Sequence, residues 1–203
     1  MHNRIAHGLA DCGTLFAALL VFAGYCGAQT PAPALTTLHT FVNGASDGIV
    51  PQGVAVGSGG VIYGTTARGG ASGYGTVFSL TPPAVGLSGA WTETVLYSFT
   101  GRSDGGGPLS VAIGKDGVLY GTTAAGGTGT ATCAGGCGTV FSLTPPASAG
   151  GAWTKATLYR FTGGSDGWGP DGGVFITKGG LLLGATEFGG SCQFCGTVFA
   201  LEQ

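Results

Sequence analysis

Two kinds of side chain in this sequence have a spacing that could do chemistry. Cys133 and Cys137 fall in "TCAGGCGTVF", Cys192 and Cys195 in "SCQFCGTVF", and the second Cys of each pair directly precedes Gly-Thr-Val-Phe. Three chemistries compete for them. Each pair could close a local disulfide, Cys133–Cys137 and Cys192–Cys195. All four could hold one zinc ion if the two loops converge. "CQFC" could be redox-active, but a thiolate needs a helix N-terminus or a cation nearby, and strand-like sequence follows Cys195. In an exported chain the even count favours the disulfides. The second kind is aspartate: Asp47, Asp104 and Asp166 each stand in Ser-Asp-Gly. A ring of carboxylates could bind a cation or a sugar. Turn chemistry explains more, because Asp can close an Asx-turn while Gly takes a positive φ, and this accounts for both residues and for their recurrence.

Other candidates are thinner. Trp168, in "SDGWGP", has no counterpart at the matching positions and sits in a Gly-rich turn. It joins the three aspartates as a candidate ligand contact. His39 is the one histidine beyond the N-terminal leader, and it takes the slot of Tyr97 and Tyr159, which marks it as structural. Glu93 and Glu187 are isolated, whereas a glycosidase needs two carboxylates across a bond. A serine triad has no further histidine to draw on. No catalytic set, metal or cofactor is expected.

The elements that must position these residues follow from a repeat. Four phrases recur three times in fixed order: "LHTF", "LYSF" and "LYRF"; then "DGIVP", "DGGGP" and "DGWGP"; then "VIYGTTARGG", "VLYGTTAAGG" and "LLLGATEFGG"; then "GTVFSLTPP" twice and "GTVFALEQ". Their spacing is 57 to 63 residues. Each repeat supplies four strands. In the middle one, "ETVLYSFT" alternates with Val95, Tyr97 and Phe99 on one face. "SVAIG" and "VLYGTT" flank an Asp-Gly hairpin turn. "GTVFSLT" completes the set.

The expected fold is therefore all-β: a propeller-like array of three four-stranded antiparallel blades, numbered 35–83, 91–146 and 153–203 within one domain, 35–203. The hairpin would be the two inner strands, "GTVFSLT" the third and "LYSF" the outer one. "LTTLHTFV" is then an orphan outer strand that could complete the last blade. Propellers usually have four to eight blades. Two chains could thus share a six-bladed ring, the chain could be part of a longer propeller, or the three repeats could close as a β-trefoil-like three-fold fold. In the blade arrangement the Ser-Asp-Gly turns and the Cys loops share one end.

Composition supports this reading and excludes others. The chain has 203 residues, 44 of them Gly, with 43% hydrophobic and 8% charged. Mean hydropathy is +0.38. Glycine interleaved with Val, Leu, Phe and Tyr reads as short strands and tight turns, not as a disordered chain. A net charge of −2 with seven scattered Lys and Arg leaves no nucleic-acid footprint. Residues 1–28 have a polar start, the apolar run "TLFAALLVFAGY" and small residues at Cys26, Gly27 and Ala28, the pattern of a secretory signal peptide. Residues 29–34 form a Pro-containing lead-in. A retained anchor is the alternative, and a lipidated Cys26 is disfavoured by Tyr25 before it. After cleavage the chain is expected to have no membrane span and to be secreted, periplasmic or at the cell surface.

The repeated "LYGTT…GG…GTVFSLTP", with "SDGxxP" before each hairpin, resembles the GloVer tandem repeat of bacterial choice-of-anchor proteins. The resemblance covers roughly residues 35–203. It implies an exported, surface or extracellular β-repeat protein, often with a C-terminal sorting anchor. Here there are three repeats and the last residues are "GTVFALEQ". The family brings no catalytic residues to carry over. Three functions stay open: a non-enzymatic module for binding or surface architecture, with a glycan, a surface ligand or a second copy as partner; a polysaccharide hydrolase or lyase using loop carboxylates; and a propeller fragment with no independent role.

Overall fold

The computed structural model describes residues 34–42, 44–84 and 89–203. The expected signal peptide, 1–28, and nearly all of the lead-in lie outside the described residues. Residues 37–203 form one compact unit. Among the described residues there is no α-helix, and so none long and apolar enough to cross a membrane.

The described strands fall into three antiparallel sheets. The first runs β1 (Gly48–Val56), β2 (Ile62–Gly69), β3 (Thr76–Thr81) and β4 (Thr92–Ser98), in that order. The second repeats it as β5 (Gly106–Ile113), β6 (Leu119–Ala125), β7 (Thr139–Thr144) and β8 (Thr154–Arg160). The third has β9 (Trp168–Ile176), β10 (Leu182–Phe188) and β11 (Thr197–Leu201). The strand order matches the sequence reading, with one correction. The third sheet has three strands, not four. Residues 35–42 are unpaired, with Phe41 packed on Phe78 of β3. No described segment covers the free edge of β11. None of the sheets closes into a barrel, which a trefoil-like fold would need.

Each recurring phrase has a local physical cause. In "KDG" the chain turns through Asp116 at φ 55° and Gly117 at φ 76°, closed by the Val118 N–H on the Lys115 carbonyl at 3.1 Å. Both central residues at positive φ make this a type I′ turn, whose twist matches that of the flanking strands. The Gly of "YGTT" has a different reason. A Cβ at Gly121 would lie 2.7 Å from the Phe141 ring, and Gly64 and Gly184 stand in the same way under Phe78 and Phe199. The ring of "GTVF" lies across the neighbouring strand, and only a residue without a side chain fits beneath it.

The threonines of "GTT" and "GTVF" form hydroxyl pairs, buried for Thr66 with Thr76 at 2.9 Å and Thr123 with Thr139 at 2.9 Å, and half-buried for Thr186 with Thr197 at 2.8 Å. Thr123 Oγ1 also donates to the Ala125 carbonyl at 3.0 Å and accepts from the Thr139 N–H at 3.1 Å. These bonds satisfy polar groups that would otherwise be costly to bury.

Two cores join the sheets in the same way. In the first, Val77 of β3 packs with Phe99, Val111, Leu119, Phe141 and Leu143. In the second, Val140 of β7 packs with Phe161, Val174 and Leu182, backed by Phe199 and Leu201. Strand pairing puts Val77 on the opposite face of its sheet from Phe78 and Leu80. The first and second sheets thus each offer a valine face forward and receive the next sheet's phenylalanine–leucine face. The burial of these side chains is the main source of cohesion between sheets.

Candidate functional site

The residues able to do chemistry gather where one sheet hands the chain to the next. At each joint the segment aromatic-x-Phe is followed by Ser-Asp-Gly. The two aromatic rings pack edge to face: His39 on Phe41 at 4.7 Å, Tyr97 on Phe99 at 5.0 Å, and Tyr159 on Phe161 at 5.1 Å. The Phe then docks on the third strand of the sheet that follows, Phe41 on Phe78, Phe99 on Phe141 and Phe161 on Phe199.

The aspartate of the turn fastens this segment. Asp104 Oδ2 accepts from the Tyr97 hydroxyl at 3.0 Å and from the Thr100 N–H at 2.9 Å, while Oδ1 accepts from the Thr100 hydroxyl at 2.5 Å. Asp166 makes the same set with Tyr159 and Thr162. The acids therefore reach backward along the chain. The simple forward Asx-turn expected from the sequence is not what they form. The Gly after the Asp has positive φ at Gly105 and Gly167 but not at Gly48. What the three share is a close approach, since a Cβ at any of them would run into Thr66, Thr123 or Thr186.

Electrostatics follow from these contacts. Burial pushes the Asp104 carboxyl up, but the hydrogen bonds from Thr100 and Tyr97 outweigh it and hold the group below its ordinary value. Asp166 is lowered in the same way by Thr162 and Tyr159 against the effect of burial. The Tyr97 phenol is pushed up to about 12 by burial and then by the Asp104 charge.

The joints differ in their third member, supplied by the outer strand of the following sheet. At the second joint it is Lys155, whose Nζ donates to the Asp104 carbonyl at 2.6 Å and to Thr157 Oγ1 at 2.5 Å. Burial lowers this amine to about 8, with Asp104 opposing the shift. At the first joint the position opposite Leu80, matching Lys155 opposite Leu143, is Glu93. Here His39 Nε2 lies 3.9 Å from both Asp47 Oδ1 and Glu93 Oε2. Asp47 is held by the Val42 N–H and the Gly48 N–H, each at 2.6 Å. His39 Nε2 and Glu93 Oε1 are buried and make no hydrogen bond among the described residues. Burial, then repulsion by Asp47, raises the Glu93 carboxyl, with His39 opposing. One donor atom from each of the three side chains falls within 4.8 Å of the others. A nitrogen and two carboxylates suit a small divalent cation. Sequence reading passed over this group because His39 and Glu93 look isolated. The signal was in the repeat itself: a histidine in a tyrosine slot opposite a glutamate in a lysine slot.

At the third joint no third member is present among the described residues. A cleft of about 220 Å³ lies there instead, lined by Tyr159, Phe161 and Asp166 on one side and Thr197 to Leu201 on the other.

The other expected site residues are placed as follows. Cys133 pairs with Cys137 and Cys192 with Cys195, with Cα atoms 5.2 and 5.3 Å apart. Both pairs stand as local disulfides, the arrangement that the even cysteine count favoured. The first is buried in the second core. It sits against the Ser-Asp-Gly turn: a Cβ at Gly163 would lie 3.1 Å from Cys133 Sγ, and the Cys137 carbonyl accepts from the Gly169 N–H at 3.0 Å. Tyr74 fills the same place in the first repeat, its ring against Gly101 and its carbonyl accepting from the Gly107 N–H at 2.9 Å. The disulfide and the tyrosine are two ways of plugging one gap, and the Cys loop and the turn share one end as the sequence suggested. A groove of about 540 Å³ lies at that end, bounded by Thr132, Gly164, Gly189, Cys192 and Gln193. Trp168 is packed rather than displayed, its ring stacked on Phe188 at 4.2 Å and 24°. Two disulfides in so small a chain fit an oxidising compartment.

No protein-family model, no curated protein and no solved structure matches this chain.

Proposed function

We propose that the chain is an exported, non-catalytic β-repeat module for binding or surface architecture, its three sheets being consecutive blades of a propeller-like array. One observation carries this reading. At both turns that join one sheet to the next the shared acid is engaged in fastening the preceding outer strand, Asp104 to Tyr97 and Thr100 and Asp166 to Tyr159 and Thr162. Hydrolysis of a glycosidic bond needs carboxylates free to face a substrate. The groove beside Cys192 and Gln193 is the candidate surface for an external ligand, since binding residues tend to be displayed on loops over a rigid scaffold. The GloVer resemblance agrees with this reading, and the disulfides agree with export. A glycan array run beside a panel of polysaccharide substrates tests it. Turnover of any substrate would end the non-catalytic reading. Glycan binding weakened by Gln193→Ala would locate the ligand in the groove.

A further inference from the structure

The two ends of the array carry unmatched halves of an interface that the chain makes twice internally. Val77 and Val140, each facing the next sheet, are 0% exposed, and the corresponding Val198 of β11 is 86% exposed. At the other end Val54 is 60% exposed, where the corresponding Val111 of the second sheet is 4%. Among the described residues no sheet packs on Val198 at one end or on Val54 at the other, where Phe78 and Leu80 of the same face are already buried, Phe78 beneath Phe41.

The last face is also less polar than its buried counterparts. The register aligns Phe175, Leu183 and Ala200 with Ala112, Tyr120 and Ser142 of the second sheet. It likewise aligns Ala185 with Thr122. A face meant for water would gain hydroxyl groups across such a comparison, and this one loses them. Exposed apolar surface of this kind marks an interaction site.

The edge of β11 adds a third mismatch. β3 and β7 are covered by β4 and β8, with Val77 opposite Tyr97 and Leu80 opposite Glu93, and with Val140 opposite Tyr159 and Leu143 opposite Lys155. The repeat places residues 35–41 in line with 93–99 and 155–161. Those residues are unpaired, and Leu35 is 97% exposed. Laid on β11 in the shared register, His39 falls opposite Val198 and Leu35 opposite Leu201. The Leu35 side chain then enters the cleft beside Tyr159 and Phe161 that lacks a third member.

We infer that two copies of this chain associate head to tail, residues 35–39 of each pairing with β11 of the other, and the last face of each meeting the first face of the other. Such an interface is heterologous, and two copies related in this way close into a ring of six sheets. Strand addition supplies the backbone bonds and the sheet faces supply the burial. The inference rests on the blade reading above, because it extends the internal joint to a second chain.

The test is the mass of the full chain in solution, by light scattering on a size-exclusion column, with three variants. The wild type is expected at twice the chain mass. Val198→Asp and Val54→Asp, each at an exposed site, are expected to be monomers with an unchanged circular dichroism spectrum. Mixed together, they should recover one dimer interface, since each keeps the half that the other has lost. Val111→Asp, at the internal counterpart of Val54, should unfold. A monomeric wild type, a mass above two chains, or a Val198→Asp variant that stays dimeric overturns the head-to-tail ring. A Val111→Asp variant as stable as wild type overturns the blade reading beneath it.

Discussion

Val50 is the residue that the repeat leaves most exposed to question. It sits at φ 60° where Gly107 and Gly169 take φ 61° and 60° in the other repeats. A β-branched residue in the left-handed region costs roughly 1–2 kcal/mol, and glycine there loses part of the gain to chain entropy. Val50→Gly should therefore stabilise the protein by about 0.5–1 kcal/mol, measured by urea denaturation. Lys155 gives a second expectation. Burial lowers its folded-state value to about 8, below the ordinary lysine range. Between that point and its unfolded value the unfolded chain holds one more proton, so stability should rise with pH across this window. Below pH 8 the full cost of the buried ammonium is present. Lys155→Met should flatten the rise, as read from melting temperatures between pH 7 and 10.5, the window set by Lys155 at about 8 and its ordinary 10.5. At this scale the sequence showed which residues recur but not what they touch. Asp104 and Asp166 were legible as turn residues, yet their reach back to Tyr97 and Tyr159 depends on where the outer strand ends. The His39–Asp47–Glu93 group needed the unpaired segment before β1 and the outer strand β4 brought to one turn, which spacing along the chain does not display.

At the scale of the element, local sequence and tertiary packing agree closely. The Asp-Gly turn, the alternation in β4 and the third-strand phrase all have period or turn signatures that short-range rules recover. What they could not recover is the cause of the glycine in "YGTT". Gly121 is not at positive φ, and its role is to leave room for Phe141 and the Ser110 carbonyl. Gly121→Ala should cost about 1–3 kcal/mol through overpacking, as a lowered midpoint in chemical denaturation with the slope unchanged. Gly59, at the tip of the first hairpin, has no heavy atom within 4 Å of the Cβ position and serves as a control for steric effects, though not for backbone ones. The missing outer strand of the third sheet was foreseeable from the phrase order. Trp168 was not, because its stacking partner Phe188 lies across a strand pair and not beside it in sequence.

For the whole molecule, the direction of each joint has a consequence for how the chain is made. The phenylalanine that seats a sheet always comes from the segment just before it: Phe41 for the first sheet, Phe99 for the second and Phe161 for the third. No sheet waits for a later one to supply its anchor. A polypeptide that emerges amino end first can therefore lay down each layer on a finished foundation. Its folding is then governed by nearest-neighbour terms, as in other linear repeat arrays. Among the described residues the third sheet is the one whose valine face and strand edge are open. In the head-to-tail pairing inferred above, that open side meets residues 35–39 of another molecule, so the final step depends on protein concentration rather than on the chain alone.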